Sequence, residues 1–270
     1  MKKTAFYLVL IGLAVFCLGP LFWQFLTSLK PDAEITRLPP LWPHHLTFVH
    51  YVAVFAGRPF LRIIFNSALV AMLTTGFALA IGSLAAFALA RLPVVGKAFI
   101  LGAVLSISMF PPIATVSPLY VIIRTLGLRD TPWALAFTYT TFSLPLTVWI
   151  LTRFFRSVPR ELFHAARVDG CSPFQTFVRV FVPLAAPGLF ATAILVFIYS
   201  WNEFLFALTF TSTTRSRTIP VEIALFPGLH EMPWGDIAAA SIIVTLPLVV
   251  LVFAFQRRIV EGLTAGSIKG

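Results

Sequence analysis

Apolar residues fall into six long runs along this chain, at about 6–26, 63–89, 99–123, 133–151, 184–210 and 237–255. Each could cross a hydrocarbon layer of about 30 Å as a helix rising about 1.5 Å per residue. Five of the runs contain no Asp, Glu, Lys or Arg, and the fifth in order contains only Glu203. The predicted fold class is therefore an all-α membrane protein: a single transmembrane domain over residues 1–270, with six helices and both termini on one side. The first run follows Met1-Lys2-Lys3, as a signal peptide would. It is too long for an h-region, and Ser28-Leu29-Lys30 offers no small-x-small cleavage site, so it is expected to remain as a helix.

Between the fourth and fifth runs lies a long interval, 153–184, that is too basic for lipid yet patterned for helices. It holds Arg153, Arg156, Arg160, Arg167 and Arg179. Pro159 suits a first helical turn, where its missing N–H costs nothing, and Leu162, Ala165 and Ala166 recur at i, i+3, i+4. Arg160, His164 and Arg167 form the opposite stripe, and Asp169-Gly170 predicts a left-handed stop. Ser172-Pro173-Phe174-Gln175 reads as the capping box of a second helix, with Phe174, Phe177, Val178 and Phe181 at i, i+3, i+4, i+7. Two amphipathic helices joined at a glycine corner could lie on lipid head groups. The small Ala165-Ala166 pair and the tight corner point instead to a protein surface.

Proline shapes two other regions. The first outer loop, 30–62, carries Pro31, Pro39, Pro40, Pro43 and Pro59 among Trp42, Phe48, Tyr51 and Phe55, so an ordered but irregular cap is expected. In the third run Pro111-Pro112 and Pro118 should break the helix, and broken backbone at membrane depth needs a protein or cavity shield. Pro111 is thus a candidate for lining a path, with a packed kink as the alternative. Asn66 in the second run could contact a substrate or pack between helices. Trp201-Asn202-Glu203-Phe204 is the strongest intramembrane candidate. A carboxylate there is costly and functional by default, although Glu203 could also reach head groups or a neighbouring helix from near the end of its run. Before the sixth helix, Ala238-Ala239-Ala240-Ser241 allows close helix contact.

Composition supports this picture. The chain is 59% hydrophobic and 11% charged, with mean hydropathy +0.92, whereas a soluble domain is nearer about 25% charged. The net charge of +10 could suggest nucleic acid, but its placement follows topology. With the N-terminus inside, twelve of the twenty Lys and Arg residues fall on the inner side, in the sense of the positive-inside rule. Cys17 and Cys171 are too few for a disulfide framework and are read as free.

The interval 153–184 resembles the EAA loop of ABC importer permeases in Ala165-Ala166, Asp169-Gly170, Phe174, Phe177 and Pro183-Leu184. It departs at His164, which stands where the motif has Glu; Glu161 lies one turn earlier. Ser28-Leu29-Lys30-Pro31 and Trp201-Asn202-Glu203-Phe204 resemble the carbohydrate-uptake branch. The tail, with Gly262-Leu263-Thr264-Ala265-Gly266 and Lys269-Gly270, resembles that of maltose-type inner permease subunits. The resemblance implies that Arg160, Glu161, His164, Ala165, Ala166, Asp169, Gly170, Phe174 and Phe177 couple to an ATPase, and that Thr264, Ala265, Gly266 and Lys269 reach it from the tail. Asn66, Pro111, Asn202 and Glu203 are path candidates. The implied partners are a second, different permease, two ATP-binding subunits carrying ATP and Mg, and an extracytoplasmic solute-binding protein. No nucleic acid is implied. The implied location is a bacterial or archaeal plasma (inner) membrane, crossed several times with both termini cytoplasmic. The implied cargo is a di- or oligosaccharide or a glycosylated polyol.

No phosphate-binding G-x-x-x-x-G-K-[ST] occurs, since Gly96-Lys97 runs into Ala98 without the earlier glycine, so ATP is expected on another chain. The five histidines show no H-E-x-x-H spacing, no metal site is expected, and no catalytic set emerges. The rival readings are an ion-gradient-driven secondary transporter, which would place several ionisable groups at the midplane, and a membrane-embedded enzyme.

Overall fold

The computed structural model describes residues 2–36, 40–228 and 232–264, in which fourteen α-helical segments and one π turn are joined by turns and short irregular stretches. They fall into two compact units, one drawn from residues 1–64 and 219–249, the other from 65–218 and 250–270.

The first unit begins with α1 (Lys2–Ser28), whose central stretch is exposed on every side. It becomes buried only at Leu26, Ser28, Leu29 and Lys30, where the chain turns. The proline-rich loop is less irregular than expected. It contains α2 (Asp32–Ile35), a single turn entered from Pro31, and α3 (Val49–Ala56), for which the proline-free interval between Pro43 and Pro59 is long enough for two turns. Here Lys30 is fully buried; its ammonium donates to the Pro40 carbonyl at 2.6 Å and lies over the Trp23 ring. Burial lowers that ammonium from its ordinary pKa, with Glu34 acting in the opposite sense. His50 bridges the Lys30 carbonyl (2.9 Å) and the Asp236 carboxylate (2.8 Å). After α13 (Ile219–Ala224), the long α14 (Trp234–Thr264) begins in this unit and packs Ala239 and Ala240 against Phe60 and Phe226. Small residues permit that close approach.

The second unit holds most of α4 (Phe60–Arg91), then α5 (Lys97–Ile107), α6 (Pro112–Thr125) and α7 (Pro132–Ser157). The third apolar run is not one straight crossing, since α5 and α6 meet at 88° where Pro111 precedes the first turn of α6. Pro118, expected to break the helix as well, lies inside α6 without interrupting it. A proline removes only its own N–H bond, and membrane helices accommodate this through local adjustment.

The fourth run extends to Ser157, so Arg153 and Arg156 belong to α7 rather than to the loop; Arg153 stacks on Trp149 one turn back. The fifth run is also corrected. Helix α11 (Ala186–Asn202) stops at Asn202, and α12 (Leu205–Phe210) restarts after two residues. Length and composition allow four helices to cross a membrane, or up to six if each bent pair counts as one span.

At the end where α7 begins, Asp130 takes a left-handed conformation (φ 59°). Its carboxylate accepts from Ser212 N (2.7 Å), Thr213 N (3.0 Å), Thr213 Oγ1 (2.6 Å) and Ser216 Oγ (2.6 Å). Burial alone would raise its pKa, but these four donors outweigh it and hold the carboxyl well below the ordinary range. A depressed folded value adds stability that is complete above the unfolded carboxylate pKa, about 4, and lost as pH falls toward the folded value. Asp130→Asn tolerates the same backbone angle and should lower thermal stability at pH 7 by about 1–2 kcal/mol. The gap between variant and parent should begin to narrow below about pH 4 and go on shrinking as the pH falls further. A gap independent of pH, measured by thermal unfolding in detergent, would refute the charge-based account.

Candidate functional site

The interval after α7 folds as a two-armed elbow. Its first arm is α8 (Arg160–Val168). It ends in a Schellman motif, in which Cys171 N donates to Ala166 O (3.0 Å), Gly170 N donates to Arg167 O (3.2 Å), and Gly170 has φ +82°. A glycine is needed there because an L side chain rarely adopts that angle. Arg167 adds a 2.6 Å bond from Nη1 to Cys171 O, which fastens the corner.

The second arm starts with the predicted capping box: Gln175 N donates to Ser172 Oγ, and Ser172 N donates to Gln175 Oε1. From there α9 (Pro173–Thr176) does not continue as a regular α-helix. It passes through a π turn at Phe177–Phe181 into α10 (Val182–Leu184), and this segment meets α11 at 80°.

The π turn changes which aromatics are buried. The expected stripe of Phe174, Phe177, Val178 and Phe181 divides, with Phe177 and Phe181 buried while Phe174 is 63% exposed and Val178 half-exposed. A π turn adds a residue to the turn and so re-aims the side chains that flank it. The first arm departs from expectation in a similar way. Leu162 and Ala165 face outward, and α8 is held by Phe163 and Ala166.

Phe163 falls between the two predicted stripes of α8 and so escapes the periodicity. It belongs to a cluster centred on Phe87, whose ring lies 5.1 Å from Phe181, 5.2 Å from Phe177, 6.1 Å from Phe155 and 6.3 Å from Phe163. The elbow is thus packed on α4 and α7 through aromatic rings.

Arg91 closes this arrangement. Its guanidinium lies over Phe181, and Nη2 donates to the carbonyls of Phe155 and Val158 at the end of α7. A cation at a helix C-terminus satisfies carbonyls that have no partner within the helix. The sequence carries no local signal for this role of Arg91, since a cap made across more than sixty positions leaves no spacing pattern. On the far side of the elbow, α11 passes so near α7 that a Cβ at Gly188 would fall 2.4 Å from the Phe154 ring.

The outward face is apolar and basic together. Val168 is 87% exposed, alongside Phe174 and Leu162, and Arg160, Glu161, His164, Arg167 and Asp169 are all exposed.

The path candidates are spread apart. Asn66 is buried, and its amide donates to Thr214 O (3.1 Å) and Arg217 O (3.0 Å). Pro111 stands at the exposed corner between α5 and α6. Asn202 is exposed and donates to Ile198 O. Glu203 occupies the break after α11 and caps α12, accepting from Phe206 N (2.9 Å) and Ala207 N (3.2 Å). Its negative charge therefore meets the positive end of a helix dipole. Thr264 ends α14, whereas Ala265, Gly266 and Lys269 lie outside the described residues.

Comparison with known proteins agrees with this architecture. A family model described as "Binding-protein-dependent transport system inner membrane component" matches residues 78–264. The chain is 45% identical over 272 residues to the trehalose transport system permease protein SugB of Mycobacterium tuberculosis, covering 100% of this chain and 99% of that one. It is 42% identical over 273 residues to the trehalose/maltose transport system permease protein MalG of Thermococcus litoralis, covering 100% and 98%. Among solved structures, a bacterial ABC transporter involved in import of the acidic polysaccharide alginate superposes with TM-score 0.80 at 20% identity, covering 95% of this chain and 96% of that one.

Proposed function

This chain belongs to the family of binding-protein-dependent transport system inner membrane components, and on that basis we propose that it forms the sugar path of an ATP-driven importer together with a second permease. Two ATP-hydrolysing subunits grip the elbow, and an extracytoplasmic solute-binding protein delivers the cargo. The relatives named for trehalose and for trehalose and maltose support a di- or oligosaccharide; a glycosylated polyol is the variant suggested by a relative named for sulfoquinovosyl glycerol. Both termini and the elbow lie on the cytoplasmic side.

One observation carries the coupling role: the elbow is clamped by aromatic packing to α4 and α7 while its opposite face, with Val168, Phe174 and Leu162, is left open. An element rigid toward the spans and adhesive outward can transmit motion. When ATP closes the ATPase pair, the arms move as a body and carry the ends of α7 and α11 with them. Arg167 meets acidic groups of the ATPase, while Arg160 turns toward the hollow behind the elbow. His164 takes the place of the motif carboxylate by packing, while Glu161 supplies the negative charge one turn earlier. The tail from Thr264 to Lys269 inserts between the ATPase subunits. The rival ion-coupled transporter is disfavoured because both oxygens of Glu203, the acid of the fifth run, already accept backbone N–H groups.

The test is uptake of labelled trehalose into vesicles that contain the chain with its second permease, ATPase subunits and binding protein. ATP-dependent uptake that fails when any subunit is omitted is expected. Uptake by this chain alone, driven by a proton or sodium gradient without ATP, would overturn the proposal.

A further inference from the structure

At the end where α4 and α7 finish, two adjoining cavities of about 350 and 370 Å³ open between the spans and the elbow. Their polar lining is almost entirely cationic. Arg91 and Arg160 line both, Lys97 lines both from the first turn of α5, Arg156 enters from the last turn of α7, and His164 and Phe163 close one side. Neither lining includes a carboxylate. Among the described residues the salt bridges fall elsewhere, and Lys97, Arg156 and Arg160 have no ion-pair partner. Arg91 Nε is buried with no acceptor, although the same guanidinium caps α7 through Nη2. Glu161 offsets part of the charge at Arg91, but four cations around one hollow still leave a net positive charge that a bound anion would relieve.

We propose that this hollow is a binding site for a phosphate oxyanion, supplied by the head group of an anionic phospholipid. Guanidinium groups recognise phosphate oxygens through paired N–H donors, and Lys97 adds a point charge. A lipid is favoured over a soluble phosphate by what flanks the cavity. The lining includes Leu89, Leu92 and Pro93, and no residue of α5 is buried, with Phe99 81% exposed beside Lys97. A head group in the cavity would leave its acyl chains to lie along that bare apolar helix. Basic pockets between transmembrane helices are suited to such head groups.

Because Arg160 and His164 also belong to the elbow, occupancy would stiffen the joint between α7 and α8. The site does not depend on the importer reading, and it can be tested on the isolated chain.

The experiment places the full chain in nanodiscs of phosphatidylcholine containing 20% phosphatidylglycerol and counts retained anionic lipids by native mass spectrometry. The comparison is with a Lys97→Gln, Arg156→Gln double variant. Each cation contributes about a fivefold factor near a membrane surface, so phosphatidylglycerol retention should weaken about thirtyfold in the double variant. The Lys97→Arg, Arg156→Lys pair should restore it, which separates loss of charge from misfolding. A second arm uses pure phosphatidylcholine discs with inorganic phosphate. Protection of the chain against thermal unfolding by millimolar phosphate, lost in the double variant, would transfer the site to a soluble phosphate and overturn the lipid assignment. Equal retention of phosphatidylglycerol by parent and double variant would overturn the proposal.

Discussion

Gly170→Pro should abolish sugar uptake and disconnect ATP hydrolysis from it, while the chain still inserts into the membrane. The corner it occupies has φ +82°, whereas proline holds φ near −65°. The substitution also removes the Gly170 N–H that donates to Arg167 O, half of the bond pair that ends α8. The cost is local, because Gly170 is exposed and a Cβ there would meet no neighbour. The damage therefore falls on the angle between the two arms rather than on the core. Uptake and binding-protein-stimulated ATPase activity of the assembled transporter are the readouts. Loss of at least about tenfold in uptake, equivalent to 1.4 kcal/mol or more in the coupled step, with membrane yield unchanged, is expected. Normal uptake would remove the elbow from the mechanism. A bulky residue at Ala166 should act similarly, since that side chain is buried against the bundle.

Phe87→Ala should cause the largest loss of stability in the chain, about 3–5 kcal/mol, the usual range for deleting a buried aromatic ring. Phe87 is almost fully buried and is the ring against which Phe155, Phe163, Phe177 and Phe181 all pack. No water-driven gain holds helices together within lipid, so lost packing contacts are not compensated. The unfolding midpoint in detergent should fall sharply, and the elbow should become accessible to protease. Phe174→Ala is the matched control. Its ring is mostly exposed, so stability should hold while retention of the ATPase subunits weakens. If both variants behaved alike, the division of the elbow into a clamped and an open face would be wrong.

Much of this architecture can be read from the sequence. The apolar runs located the helices, and the capping box at Ser172 and Gln175 formed as its residues dictate, as did the left-handed stop at Gly170. These signals are local, set by a few neighbouring residues. What escaped depends on neighbours distant in sequence. The π turn at Phe177–Phe181 re-aims its aromatics to satisfy packing on Phe87 and Phe155, and helical periodicity alone cannot anticipate an added residue in a turn. Arg91 serves carbonyls more than sixty positions away. Glu203 looked like a buried charge within a span because the run of hydropathy conceals a two-residue gap that makes it a cap. Proline misled in both directions, since Pro118 is tolerated inside α6 while the interval before Pro59 forms a helix.

The exposure of α1 has a mechanical consequence. Its shaft is bare until Phe22 meets Trp42 and Trp23 lies under the Lys30 ammonium, and it is buried only near Lys30, where that ammonium ties the turn to Pro40. It is built as a cantilever, fixed at one root and free along its shaft. Its lean and rotation are therefore settled by whichever neighbour it meets in the bilayer, so a fluorescent protein fused ahead of Lys2 would report that encounter without loading the rest of the fold.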